Sequence, residues 1–137
     1  MTEAVLDASV VVKWFRSEGE ANVEVARTLR AQLAAGELHV LAPPLIWLEL
    51  INVAARRWAW SLTKLEQLAQ ALTGLGFELI EPDIATLARW AASGLTTYDA
   101  AYVAVAEQSG AQLISDDAEI ARLAPALTIA LANAVAS

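Results

Sequence analysis

From one end of the chain to the other, short apolar runs alternate with longer segments in which apolar residues recur every three or four positions. This alternation constrains the fold more than any other feature. A helix-length segment between two strands carries the chain back to its starting side, so consecutive strands pair in parallel and helices cover the sheet. The strand-like runs fall near residues 3–6, 39–41, 77–81, 112–115 and 127–131. Between the first two, residues 20–35 place Val25, Leu29 and Leu33 four apart, with Gly36 as a stop. Pro43-Pro44 opens a helix through Arg57. A second helix is expected at Thr63, where Glu66 completes a capping-box spacing, with the row Leu62, Leu65, Leu68, Leu72 and Leu75. Pro82 starts a helix through Trp90. Thr96 starts another, with the row Tyr98, Ala101, Tyr102, Val105 and Ala106, and a short helix spans residues 117–123. The fold class expected is α/β, a parallel sheet between two helical layers. The runs near 77 and 127 alternate in polarity and suit sheet edges, whereas those ending at Asp7 and Ser115 are continuous and suit its centre. No repeat or linker divides the chain, so residues 1–137 are expected to form one domain.

Composition narrows the chemistry. Without cysteine there is no disulfide framework, thiolate metal site or cysteine nucleophile, and any metal is expected to be a hard ion held by oxygen. The Met-Thr-Glu start lacks the basic opening and long apolar segment of a signal peptide, and no stretch has the length and apolarity of a membrane span; a cytoplasmic protein is expected. A net charge of −7 opposes nucleic-acid binding through a broad basic surface, unless acids gathered at one metal site are neutralised there. Apolar residues at 57%, five of them tryptophans, lead us to expect an exposed apolar patch for dimerisation or a partner.

Four acids carry the functional reading. In open parallel sheets ligands bind beyond the carboxyl ends of the strands, where strand order reverses. Asp7 and Asp117 each follow such an end. Glu49 sits in an apolar helical segment with Asn52 three residues on, and Asp99 lies in the first turn of its helix. Converging carboxylates repel and raise one another's pKa until a cation joins them. Magnesium, which prefers carboxylate and water oxygens, resolves the conflict and suits water attack on a phosphodiester. Each acid also has a structural alternative. Asp7 and Asp99 can serve as caps, and Glu49 can pair with Arg56 or Arg57. Asp116 stands three before Glu119, the spacing of a cap, which leaves Asp117 as the ligand of the two. The single histidine, His39, has no nucleophile beside it, so no Ser-His-Asp set competes.

In order and spacing, four segments resemble the motifs of the PIN-domain family, and within it the VapC-type toxins. They are Val5-Leu-Asp-Ala-Ser-Val-Val-Val-Lys-Trp-Phe15, Pro43-Pro-Leu-Ile-Trp-Leu-Glu-Leu-Ile-Asn52, Leu95-Thr-Thr-Tyr-Asp-Ala-Ala-Tyr-Val-Ala104 and Leu113-Ile-Ser-Asp-Asp117. The resemblance implies a five-stranded parallel sheet in the order 3-2-1-4-5. It implies a Mg²⁺ or Mn²⁺ site at Asp7, Glu49, Asp99 and Asp117, with Ser9 and Ser115 positioning water and Asn52 bracing Glu49. It also implies an endoribonuclease, homodimeric, acting as the toxin of a toxin–antitoxin pair and silenced by its antitoxin. Ser115 and Asp116 depart from the Thr and non-acidic residue common in the family, so the choice between Asp116 and Asp117 stays open.

Lys13 and Arg16, after the first motif, are candidates for substrate phosphates, as are Arg56 and Arg57, with solvated surface charge as their alternative. The tryptophans are expected in the core or at an interface before serving as stacking platforms. A rival reading is a non-catalytic PIN-like scaffold binding a protein or RNA. A phosphoacceptor centred on Asp7 is weaker, because Ser9 stands where a second acid is needed.

Overall fold

In the computed structural model, which describes residues 1–134, the strands are β1 (Thr2–Leu6), β2 (Leu38–Ala42), β3 (Glu78–Leu79), β4 (Gln112–Ser115) and β5 (Thr128–Ala130). They form one sheet in the order β3-β2-β1-β4-β5, every pair parallel. The order and the all-parallel pairing agree with expectation. So does the division into centre and edge: Val5, Leu6, Leu113 and Ile114 are buried, while β3 and β5 keep exposed positions. Strand β3 covers only two of the five residues expected at 77–81.

The helices are α1 (Ala8–Val11), α2 (Val23–Ala34), α3 (Leu45–Asn52), α4 (Leu62–Thr73), α5 (Ile84–Ala92), α6 (Thr97–Ser109) and α7 (Ala118–Leu123). Helix α6 is buried at every position from Ala100 to Ala106. Its four alanines let it lie close to β1, β2 and β4 while α5 covers its other side. The first member of the row expected on α6, Tyr98, is 66% exposed, and the buried stretch begins at Ala100.

Several helix boundaries differ from the sequence reading; α5, expected from Pro82 through Trp90, starts at Ile84 after an Asp83 cap and runs to Ala92. Helix α4 is capped by Ser61, whose Oγ accepts from the Lys64 amide, so the Thr63–Glu66 spacing lies inside the helix. The helix expected through Arg57 is α-helical only to Asn52, and Val53–Arg57 widen into a π turn. A left-handed residue, Ala59 (φ 52°), then closes the turn, with the Trp60 amide donating to the Ala54 carbonyl. Such a cap usually falls to glycine. Trp14 donates to the Ala26 carbonyl at 2.7 Å, fixing α2 against the turn after α1, and Trp47 stacks on Phe77. No helix among the described residues is long and apolar enough to cross a membrane.

Candidate active site

The parallel pairing of β1 with β4 sets Leu6 beside Ile114, so the chain leaves both strands at the same edge, and Asp7 and residues 115–117 emerge side by side. Asp7 occupies the cap position of α1 but makes no side-chain capping bond. Its carboxylate instead accepts from Ser9 Oγ at 2.6 Å and from Ser115 Oγ at 2.5 Å. The two hydroxyls in turn accept backbone amides, Ser9 from Asp116 and Ser115 from Asp117, each at 3.0 Å. A closed network therefore locks the loop after β4 to the end of β1. The resemblance implied that these serines position water; in this structure their protons point at Asp7.

Asp7 is 4% exposed, and burial pushes its pKa up to about 6 despite the Ser115 and Ser9 hydrogen bonds, with the charges of Asp117 and Asp99 adding to the rise. Asp99 sits in the first turn of α6, whose cap is Thr96 through the Asp99 amide at 3.1 Å. Its pKa is raised by burial and by Asp117, with Thr96 opposing. Glu49 is raised by burial, opposed by a hydrogen bond from the Tyr102 hydroxyl, and raised further by Asp99. The four acids therefore share one electrostatic neighbourhood, with Asp99 acting on both Asp7 and Glu49.

Asp116 and Asp117 exchange the structural role assigned by spacing. Asp117, not Asp116, caps α7, its Oδ1 accepting from the Glu119 and Ile120 amides at 2.8 and 3.4 Å. Asp116 turns the other way, to Lys13 Nζ at 3.0 Å and Asn22 Nδ2 at 3.1 Å. The cap begins one residue later because the Ser9 and Ser115 hydroxyls already hold the 116 and 117 amides. Asp117 nonetheless keeps its charge on Asp7 and Asp99.

Lys13, expected at substrate phosphates, is 4% exposed and held by Glu20 at 2.9 Å and Asp116 at 3.0 Å. The turn after α1 carries it inward between these two acids, one of them in the loop that follows β4. Arg16 stays at the surface, its guanidinium over the Trp58 ring. Asn52 makes no hydrogen bond to Glu49 among the described residues; the brace comes from Tyr102, and neither Arg56 nor Arg57 pairs with Glu49.

Tyr102 is the residue that sequence reasoning missed, having been read as part of an apolar row. Fully buried, it has its phenol pushed far above the ordinary tyrosine range by burial and by the Glu49 carboxylate. One signal was present: Tyr102 stands three after Asp99, on the same face of α6. Beside Glu49 a shallow concavity of about 490 Å³ is lined by Leu45, Leu48, Glu49, Asn52 and Tyr98. Leu48 and Tyr98 there are 73% and 66% exposed, giving the apolar patch expected from composition.

A family model for the PIN domain matches residues 4–125, a span that contains all four acids. No curated protein matches the chain. Among solved structures, the chain is similar to a crystal structure from Pyrobaculum aerophilum, with a TM-score of 0.67 and 23% identity over 96% of this chain and 91% of the other. It is also similar to a chain of a toxin–antitoxin complex from Klebsiella pneumoniae, with a TM-score of 0.61 and 18% identity over 93% and 97%. At these identities the two structures share a fold with this chain, while the family model carries the assignment: the chain belongs to the PIN domain family.

Proposed function

We propose that the protein is a metal-dependent endoribonuclease of the VapC type, the toxin of a toxin–antitoxin pair. The observation that carries this reading is Asp7, a buried carboxylate at the end of β1 with a pKa near 6, against which Asp117 and Asp99 add like charge. Burial and like charge acting together on one carboxylate in a crevice are the combination that functional sites show. Among the described residues no three acids close around a single ion; Asp7 is held by two serines, Glu49 by Tyr102 and Asp117 by amides, while Asp99 is positioned through its own amide on Thr96 Oγ1. The donor set, all carboxylate oxygen, fits a hard divalent cation, and Asp7, Glu49, Asp99 and Asp117 are the residues that would hold it. Magnesium or manganese, when bound, supplies Lewis acidity and lowers the pKa of water near a scissile phosphate. The protein's own part is to fix the carboxylates. Ser9 and Ser115 orient Asp7, the α7 amides orient Asp117, and Tyr102 orients Glu49.

Family membership and the fold shared with a chain of a toxin–antitoxin complex support the biological role. An antitoxin and a second copy of the chain are the proposed partners, with Leu48 and Tyr98 beside Glu49 as the apolar surface available to them. Residues 1–137 as one domain and a cytoplasmic location complete the proposal. The scaffold reading is favoured by one observation, the hydrogen bonds that Asp7, Glu49 and Asp117 accept without an ion. The test is cleavage of RNA by purified protein freed of any partner, with Mg²⁺ or Mn²⁺ against chelator. Activity should require the metal and vanish in Asp7→Asn, and undiminished cutting by that variant sinks the mechanism.

A further inference from the structure

The chain carries nine lysines and arginines against sixteen acids, and four of the nine are neutralised in close ion pairs. Lys13, Arg27, Arg89 and Arg122 each pair with carboxylates at 3.0 Å or less. Arg30, Arg56, Arg57 and Lys64 have no ion pair among the described residues, Arg30 donating instead to the Trp14 carbonyl, and Arg16 has only a long one, 3.7 Å to Glu18. Arg30 lies on α2; the other four lie on two segments, the turn after α1 and the stretch from the π turn into α4. Between the segments a groove of about 530 Å³ is lined by Phe15, Arg16, Trp58, Trp60, Ser61 and Lys64, together with Ala59 and one acid, Glu18. Trp58 and Trp60 stand with ring centroids 5.0 Å apart and tilted by 46°. Arg16 lies over Trp58 at 5.7 Å and Lys64 over Trp60 at 5.0 Å.

We propose that this groove is a subsite for single-stranded RNA outside the acidic centre, in which Trp60 and Trp58 stack nucleobases while Arg16 and Lys64 meet the flanking phosphates. This rests on the ribonuclease reading above and says where the strand is held. Aromatic faces paired with cations are the recurrent means of binding single strands without sequence readout. The location fits. Asp7 begins α1 and Phe15 ends the turn after it; Glu49 lies in α3 and Trp58 ends the π turn that extends it. Helices α1 and α3 pack together, so both routes lead from the acids to the same groove, on the order of 10–15 Å away by helical rise. An acidic protein that must hold RNA thus keeps four of the five cations that lack a close ion pair on the two segments that flank this groove. The left-handed backbone at Ala59 is the local device that separates α3 from α4 and leaves both indoles half-buried at the groove.

The test is binding of a labelled single-stranded RNA oligonucleotide to the full chain in chelator, where no cleavage occurs. Trp60→Ala should weaken binding by about tenfold with the salt dependence unchanged, and Trp60→Phe should restore most of the affinity. Lys64→Glu, on an exposed helix face where folding is not at risk, should also weaken binding and make it less steeply salt-dependent. In magnesium the same variants should raise KM for a long RNA and leave kcat near its original value. Unchanged binding in both Trp60→Ala and Lys64→Glu overturns the subsite. So does equal affinity for an abasic strand of the same length, or for an acidic peptide, the latter marking the groove as a protein interface. Loss of the nuclease reading looks different, as RNA cleavage that survives Asp7→Asn, and the binding comparison in chelator stands apart from it.

Discussion

Replacing Asp7 by asparagine should abolish activity and yet make the metal-free protein more stable, and the size of the gain follows from the structure. The ordinary aspartate pKa of 3.8 is raised to about 6 in the fold, chiefly by burial. The folded state therefore binds the proton more tightly than the unfolded state, and stability falls as pH rises between these two values. Above pH 7 the buried charge costs roughly 3 kcal/mol relative to the neutral carboxyl; at pH 5 it costs about half of that. Asparagine has nearly the shape of the protonated acid and carries no charge. Its oxygen can still accept from one serine, and the other hydroxyl has a lone pair for its amide. Thermal melts of the two proteins in chelator at pH 5, 6.5 and 8 check this. Asp7→Asn should melt higher at pH 8, by roughly 10 °C if the full term is realised, with the gap narrowing toward pH 5. Adding magnesium should raise the melting temperature of the wild type and leave that of the variant unmoved. A variant less stable than wild type at pH 8, or a gap that ignores pH, refutes the argument that Asp7 is a strained charge awaiting a cation.

Other expectations follow from the same geometry. Tyr102→Phe removes the donor that holds Glu49; it should lower stability by about 1–2 kcal/mol in urea melts and weaken magnesium binding, because the Glu49 carboxylate loses its orientation and rises further in pKa. Lys13→Ala should cost about 2 kcal/mol, measured by urea denaturation, since Glu20 and Asp116 lose their partner but keep about a quarter of their side chains in water. In Lys13 burial is outweighed by Glu20 and Asp116, which hold its pKa above 10.5; their stabilisation should be complete below that pH and disappear as pH climbs through the raised value. Asp117→Asn should keep the α7 cap while losing activity, whereas Asp117→Ala should lose activity and about 1 kcal/mol besides. Asp116→Asn tests the other aspartate: it should cut RNA at close to the wild-type rate.

The sheet was legible in the sequence because its signals are local and redundant. Each strand is a short apolar run, each helix shows its period, and helices between strands leave parallel pairing as the outcome. Even the edge strands announced themselves by alternation, since an edge has a wet side. The boundaries were less legible. Ser61 outcompeted Thr63 as the α4 cap, and the α3 helix widened at Val53, because such choices turn on which amide a neighbouring hydroxyl or carbonyl reaches.

The site divides along the same line. Four acids at motif spacing, and the expectation that they meet, were available from the sequence, since topology alone puts the ends of β1 and β4 together. The tertiary structure decided what each does there. It buried Lys13 between two carboxylates, gave the α7 cap to Asp117, and set the Tyr102 phenol on Glu49 across 53 residues of chain. Periodicity tells which face of a helix is apolar, but not which polar atom a buried hydroxyl will find. That depends on distances between elements, fixed only when the layers close.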